Sequence, residues 1–167
     1  MFEIEKNKKI QELIAITKSN SGISGPALAK AHIELGSLLG AEFDNLNPED
    51  TTIVAILRGG LFFAEGMYFK LGCKFQVYNP KKDTFVRPNT KNIILVDSVI
   101  NTGRTILDIL EPDMIVACCV INQKAVPLFS EKLYTIRTSE NSFVGSDLLH
   151  QEGNKGPDTT MRLFNLL

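Results

Sequence analysis

Residues 92–110 read NIILVDSVINTGRTILDIL and change character twice along their length. The first part is a continuous apolar run with β-branched residues, which predicts a strand over residues 91–96 that is buried on both faces. The last part predicts a short helix over residues 105–110. Glu111 and Pro112 end that helix, because the residue before a proline avoids helical dihedral angles. Asp97 and a small polar loop lie between the strand and the helix, where a ligand would have to be held.

The remaining chain repeats this alternation of strand and helix. Apolar runs predict strands over residues 52–57, 74–78 and 114–121, and helical spacing predicts helices over residues 3–17, 24–43 and 61–71. After residue 122 the pattern is weaker, with a short helix expected over residues 126–132, a strand over 133–137 and irregular structure beyond. Strands that are apolar on both faces and alternate with helices indicate an α/β fold, with a parallel sheet flanked by helices on both faces.

Composition restricts the class of protein. The chain has 167 residues, 44% of them hydrophobic, which suits a single domain spanning residues 1–167. It carries 18 basic and 19 acidic residues, so it lacks the basic excess of a nucleic-acid binder. No apolar run approaches the length needed to cross a bilayer, and the three cysteines are expected to be free, buried thiols in a reducing compartment. We therefore expect a cytoplasmic protein with no nucleic-acid or membrane partner.

Two polar loops should face one ligand, because ligands of open parallel sheets bind beyond the carboxyl ends of the strands. Arg58-Gly-Gly60 follows one predicted strand and Asp97 follows another. The segment Thr102-Gly-Arg-Thr105 precedes a predicted helix, where backbone N–H groups favour a phosphate. Asp97 is then free to accept hydrogen bonds from neutral hydroxyls, and this combination fits a phosphorylated sugar.

Other common sites are not supported. The glycines have neither the spacing of a P-loop nor that of a dinucleotide-binding loop. With only two histidines and no Cys-x-x-Cys, a protein-ligated zinc site is not expected, and Ser98 has no evident histidine to make it a nucleophile.

Three separated segments resemble the type I phosphoribosyltransferases, in the right order along the chain. Residues 94–105, ILVDSVINTGRT, resemble the family's phosphoribosyl pyrophosphate signature. Residues 56–61, ILRGGL, resemble the pyrophosphate loop of the uracil phosphoribosyltransferases, and residues 156–164, GPDTTMRLF, are similar to the C-terminal segment of those enzymes.

The resemblance implies a role for each matching position. Asp97 would hold ribose hydroxyls, residues 102–105 the 5'-phosphate, and Arg58 and Gly59 the pyrophosphate, with Asp97 and Arg58 as the catalytic residues. Mg²⁺ would bridge diphosphate and ribose oxygens, with Asp97 as the one side chain that could ligate it directly. A lid segment, residues 79–90, would bring cations to the leaving group. The full set of substrate-binding residues implied is Arg58, Gly59, Gly60, Lys81, Lys82, Arg87, Asp97, Ser98, Asn101, Thr102, Gly103, Arg104, Thr105 and Asp158.

The same resemblance implies a transferase that moves ribose 5-phosphate from phosphoribosyl pyrophosphate to a nucleobase, with uracil as the first choice. N-terminal helices (residues 1–45) and a C-terminal segment (123–167) would form a small irregular hood and the base-binding region, in a homodimer or higher homo-oligomer. Asn101 stands where hypoxanthine-guanine enzymes have an aspartate, and Met161 replaces an acid of the uracil enzymes, while residues 143–145 could instead stack a purine. Two alternatives stay open: a non-catalytic regulator that binds the same ligand, and a hydrolase of the same sugar phosphate.

Overall fold

The computed structural model describes residues 1–143 and 155–167. Six parallel strands form the main sheet in the order β1-β6-β5-β4-β2-β3. They are β1 (Phe2–Glu3), β2 (Thr51–Ile56), β3 (Lys74–Tyr78), β4 (Asn92–Ile100), β5 (Ile115–Asn122) and β6 (Leu133–Ser139). The helices are α1 (Lys8–Thr17), α2 (Gly25–Gly40), α3 (Leu61–Leu71), α4 (Arg104–Leu107) and α5 (Thr159–Leu163). A separate parallel pair joins β7 (Ser142–Phe143) and β8 (Lys155–Gly156).

The sheet is covered on both faces, which confirms the predicted α/β fold class. On one face, side chains of α1, α2 and α3 pack against alternate residues of the central strands, among them Ile53, Ile94 and Ala117. On the other face, Ile106 and Phe129 pack against Val54, Leu95 and Val116. Burial of both faces explains why the central strands are continuous apolar runs.

Several element boundaries differ from the predictions. The first helix begins at Lys8 rather than near residue 3, because Asn7 caps it by accepting a 2.9 Å hydrogen bond from the Ile10 backbone N–H. Phe2–Glu3 pairs with β6 instead, and Ile4 donates a further backbone hydrogen bond to Thr135. Helix α3 and strand β3 have the predicted limits.

The largest difference concerns β4, which runs through Asp97 to Ile100 instead of stopping at Val96. Pairing with β5 continues over this extension, since Asp97 lies opposite Cys118 and Ile100 opposite Ile121. The following helix is correspondingly short. Asp97 is therefore part of the sheet, and its position is fixed by strand pairing rather than by a loop.

The region after β5 also differs from expectation. The predicted helix over residues 126–132 is two 3₁₀ segments, Gln123–Leu128 and Ser130–Lys132. Pro127 lacks the backbone N–H that a continuous helix would need there. Near the C-terminus, where irregular structure was expected, α5 packs against α2 through Leu163 and Leu28. No helix within residues 1–143 and 155–167 has the length and apolarity to cross a membrane.

Candidate functional site

The two polar loops singled out in the sequence lie side by side at the carboxyl edge of the sheet. Strands β2 and β4 are neighbours, with Ala55 opposite Val96, so the loop Arg58–Gly60 emerges directly beside Asp97. The peptide bond between Leu57 and Arg58 is cis. A Cβ built on Gly60 would lie 2.5 Å from the Val96 carbonyl oxygen and 2.7 Å from that of Ile56, so only glycine fits between these strand ends.

Ser98 connects the two loops. Its side chain is fully buried, and its hydroxyl donates a 2.6 Å hydrogen bond to the carbonyl oxygen of Gly59. The sequence resemblance implied that Ser98 binds substrate. In the structure its hydroxyl faces the backbone of the neighbouring loop and holds that loop against β4.

Asp97 is a partly buried carboxylate beside the loop Arg58–Gly60. The space between this carboxylate and that loop is called the cleft below. Burial raises the pKa of Asp97 to about 7, and hydrogen bonds from the backbone N–H groups of Ser98 and Val99 oppose that shift. Near neutral pH the ligand-free Asp97 is therefore protonated in a part of the molecules and ionised in the rest. Hydroxyl donors or a cation placed at this carboxylate would favour its ionised form.

The loop that follows β4 is shaped by a glycine. Gly103 has φ of 76° and precedes α4, and a Cβ on it would lie 2.7 Å from the buried ring of Phe129. Thr102 and Thr105 flank it and are half-buried. The Oδ1 atom of Asn101 is buried and accepts no hydrogen bond within the described part of the chain. A buried acceptor without a partner is rare, and a ligand donor at this loop would satisfy it.

The C-terminal segment reaches the same cleft. Asp158 caps α5 by accepting a 2.8 Å hydrogen bond from the Met161 backbone N–H, so one of its carboxylate oxygens is already used. The Arg58 guanidinium carbon lies 5.6 Å from the ring centre of Phe164, which itself packs against Phe62. Thr160 and Phe164 were not among the predicted site residues. The similarity of residues 156–164 to the uracil enzymes was the signal that could have included them.

The predicted lid residues are divided between the two edges of the sheet. Lys81 and Lys82 are exposed in a turn directly after β3, at the same edge as Arg58, and Asn79 and Asp83 close that turn through backbone and side-chain hydrogen bonds. Arg87 is at the opposite edge, in ion pairs of 2.5 Å with Glu111 and 2.7 Å with Asp113, just before β5 begins. Two carboxylates therefore hold Arg87 away from Arg58 in this structure. A contact of Arg87 with the leaving group stays a prediction, which requires Arg87 to leave these carboxylates.

Metal binding by protein groups alone is not supported in the described part of the chain. Residues 1–143 and 155–167 contain no group of three or more His, Cys, Asp or Glu side chains that could hold an ion. Mg²⁺ commonly binds through one or two carboxylates together with substrate phosphates and water. Asp97 beside Gly59 fits that arrangement, in which most ligands come from the substrate. Val144 and Gly145, two of the three residues considered for purine stacking, lie outside the described residues.

Comparison with known proteins gives one sequence relative and several structural ones. No family model matches the chain. A transcriptional regulator of Methanosarcina barkeri, named GfcR 1, is 27% identical over 112 residues, which are 59% of this chain and 55% of the relative. The chain thus spans about half the length of the curated relative it matches.

The solved structures agree on the architecture. The AQ2163 protein of Aquifex aeolicus superposes with a TM-score of 0.65 at 18% identity, covering 83% of this chain and 87% of that one. A purine phosphoribosyltransferase of Pyrococcus horikoshii superposes with a TM-score of 0.52 at 18% identity, over 65% of this chain and 83% of that one. The chain has the type I phosphoribosyltransferase fold. A hypoxanthine-guanine phosphoribosyltransferase of Bacillus anthracis gives a TM-score of 0.51 at 15% identity, covering 66% and 80%. At such identities the likeness establishes the phosphoribosyltransferase fold alone.

Proposed function

We propose that the carboxyl edge of the sheet binds phosphoribosyl pyrophosphate and transfers its ribose 5-phosphate to a nucleobase. The observation that carries this proposal is the contact between the two loops. The Ser98 hydroxyl donates a 2.6 Å hydrogen bond to the Gly59 carbonyl oxygen. A Cβ built on Gly59 would lie 3.3 Å from Oδ1 of Asp97. A carboxylate and a cation-bearing glycine loop are thereby kept next to each other, as a ligand with hydroxyls on one side and a diphosphate on the other requires.

The proposed reaction breaks one bond and forms one. The C1–O bond of the ribose breaks, its electron pair leaves with the diphosphate, and a nitrogen lone pair of the base forms the new C1–N bond. The proton of that nitrogen is released to solvent. Positive charge therefore develops on the ribose ring while negative charge develops on the leaving group, and the site must stabilise both.

The residues at the cleft suit these two tasks. The Asp97 carboxylate would accept hydrogen bonds from the ribose hydroxyls, and its charge would stabilise the positive ring. Arg58, with Lys81 and Lys82 from the neighbouring turn, would stabilise the leaving diphosphate. Thr102 and Thr105, beside Gly103, would hold the 5'-phosphate. Mg²⁺, when bound with the diphosphate, would neutralise part of its charge.

Uracil is the base that we propose to test first. Support comes from the sequence similarity of residues 156–164 to the uracil enzymes and from Asn101, which replaces the aspartate of hypoxanthine-guanine enzymes. The placement of α5 beside Gly59 is consistent with a role for this segment at the cleft. A purine base is the main alternative substrate, and the assay therefore includes purines.

The test is calorimetric titration of phosphoribosyl pyrophosphate in the presence of Mg²⁺, followed by an assay of pyrophosphate release. Uracil, hypoxanthine, guanine, adenine and orotate form the panel of bases, and incubation without base reveals hydrolysis by release of ribose 5-phosphate. We expect binding and base-dependent pyrophosphate release. Absence of binding, or binding that Asp97→Asn does not weaken, would show that the site is wrongly assigned.

A second candidate function is a regulator that binds phosphoribosyl pyrophosphate or a nucleotide without turnover. The sequence relative named as a transcriptional regulator favours it, as does Arg87, which is tied to Glu111 and Asp113 rather than facing the cleft. Tight binding with no pyrophosphate release on any base would select this candidate.

We also propose that the chain forms a homodimer or higher homo-oligomer. Phe69 on α3 and Val77 on the edge strand β3 are exposed apolar side chains and are the residues that we propose to test at such an interface. Sedimentation equilibrium tests it, and a monomer at all concentrations would contradict it.

A further inference from the structure

Helix α5 brings a hydroxyl to the space beside Gly59. A Cβ built on Gly59 would lie 3.2 Å from Oγ1 of Thr160 and 3.3 Å from Oδ1 of Asp97. The two oxygens therefore face the same point of the glycine loop, one from β4 and the other from the C-terminal helix. Because Gly59 has no side chain, nothing on this residue crowds the two oxygens.

Thr160 takes part in α5 through its backbone, whose carbonyl oxygen accepts a 3.1 Å hydrogen bond from the Phe164 N–H. It is half-buried, and within residues 1–143 and 155–167 its hydroxyl makes no hydrogen bond. A threonine hydroxyl can donate one hydrogen bond and accept others. Its donor is thus available beside Gly59.

The position of α5 is set by a buried guanidinium. Arg162 is 2% exposed and donates to the backbone carbonyl oxygens of Thr17, Lys18 and Ile23 and to the hydroxyl of Ser21. These bonds join α5 to the connection between α1 and α2. Phe164, at the end of α5, packs against Phe62 of α3 and contacts the Arg58 guanidinium. These contacts anchor the C-terminal end of α5, and the Asp158 side chain caps its N-terminal end. Thr160 lies between the two anchors and is thereby kept beside Gly59.

We infer that Thr160 is a diphosphate-binding residue, donating its hydroxyl to a phosphate oxygen held by the loop Arg58–Gly60. This inference rests on the function proposed above, because it assumes that this loop takes the diphosphate. Thr160 would add a hydroxyl donor beside Gly59, within reach of the same point as the Asp97 carboxylate. The ligand site then includes the C-terminal segment of the chain as well as the two strand ends.

The experiment compares two threonines of the same helix. Thr160→Val removes the hydroxyl at the cleft while keeping the shape of the side chain, and Thr160→Ser restores a hydroxyl. Thr159→Val is the matched control, because Thr159 is the neighbouring residue of α5 and its buried side chain does not contact Gly59. Each variant is titrated with phosphoribosyl pyrophosphate, inorganic pyrophosphate and ribose 5-phosphate, all with Mg²⁺, and its melting temperature is recorded.

The expected result is selective. Thr160→Val should bind phosphoribosyl pyrophosphate and pyrophosphate about tenfold more weakly, the effect of losing one hydrogen bond to a charged group. Its affinity for ribose 5-phosphate and its melting temperature should match those of the unsubstituted protein. Thr160→Ser should restore most of the lost affinity, and Thr159→Val should bind all three ligands normally.

Two failures can be told apart. If the unsubstituted protein binds phosphoribosyl pyrophosphate and Asp97→Asn weakens that binding while Thr160→Val does not, the inference about Thr160 is overturned and the proposed function stands. If the unsubstituted protein does not bind the ligand at all, the proposed function fails and the inference falls with it. Equal loss for pyrophosphate and ribose 5-phosphate would also overturn the assignment to the diphosphate.

Discussion

The hydroxyl of Ser98, fully buried on β4, donates a 2.6 Å hydrogen bond to the carbonyl oxygen of Gly59 in the loop after β2. This bond links the two strand ends that carry Asp97 and Arg58, in addition to the backbone pairing of β2 with β4. The relative position of the two proposed catalytic side chains therefore depends on a residue that need not touch the ligand.

Ser98→Ala should loosen the loop Arg58–Gly60 without creating a large cavity in the core. A net loss of about 1 kcal/mol in the free energy of unfolding is expected for one buried hydrogen bond. Affinity for phosphoribosyl pyrophosphate should fall about threefold to tenfold if loop position limits binding. Chemical denaturation and calorimetry measure the two effects.

A matched control for Ser98→Ala is Thr51→Val at the opposite end of β2. The Thr51 hydroxyl donates a 2.8 Å hydrogen bond to the Asn47 carbonyl oxygen and accepts a 3.2 Å hydrogen bond from the Asn92 side-chain amide. It is as buried as Ser98 but lies at the amino edge of the sheet, so its replacement removes at least as much hydrogen bonding away from the site. This variant should lose stability and keep its affinity. An equal loss of affinity in both variants would contradict the role assigned to Ser98.

Gly60→Ala should damage both the fold and the site. The added methyl group would lie 2.5 Å from the Val96 carbonyl oxygen and 2.7 Å from that of Ile56, so the ends of β2 and β4 would have to separate. A loss of about 2 kcal/mol or more in the free energy of unfolding is expected, together with loss of ligand binding.

Gly72→Ala distinguishes this clash from backbone strain. Gly72 has φ of 61° and open space around its Cβ position, so alanine there is strained without a collision. It should cost about 1 kcal/mol and leave ligand binding unchanged. If Gly60→Ala is as mild as Gly72→Ala, the close packing at the strand ends is not what holds the site.

Asp97 should make the stability of the metal-free protein depend on pH. Its pKa is raised from 3.8 to about 7 in the folded protein, so between those values the folded chain keeps a proton that the unfolded chain releases. The contribution of Asp97 to the free energy of unfolding is therefore fully present below about pH 4 and is lost as pH rises through about 7. Asp97→Asn should therefore be more stable than the unsubstituted protein at about pH 8, by up to about 4 kcal/mol.

Denaturation at a series of pH values measures this effect, and Asp108→Asn serves as the control on an exposed carboxylate of the same region. If Asp97→Asn has the same pH profile as the unsubstituted protein, Asp97 does not carry a raised pKa.

The cationic residues of the lid segment should differ in their effect on turnover, according to the edge of the sheet at which they lie. Replacing Lys81 and Lys82 together with alanine should slow pyrophosphate release about tenfold or more, because both extend from the edge that carries Arg58. Arg87→Ala should have little effect on turnover, since Arg87 is paired with Glu111 and Asp113 at the other edge. Single-turnover rates measure both. A strong loss of turnover in Arg87→Ala would show instead that Arg87 leaves its carboxylates during the reaction.

Local patterns in the sequence determined the architecture of this protein. Continuous apolar runs between helical repeats predict buried parallel strands, and that geometry alone places Arg58–Gly60 and Asp97 at one edge of the sheet. Turn and helix limits that depend on nearby residues, such as those of α3, were also predictable. These features follow from contacts within a few residues along the chain.

Contacts between distant residues decided the rest. Pairing with β5 extends β4 through Asp97, the carboxylates before β5 hold Arg87 away from the cleft, and backbone carbonyls near Ser21 bind Arg162 and so bring Thr160 to Gly59. None of these partners is close in sequence, so no local periodicity encodes them. The order of strands and helices and the edge of the sheet that carries the two loops were readable from the sequence. The end of β4 and the side chains around Gly59 depend instead on how the chain packs on itself.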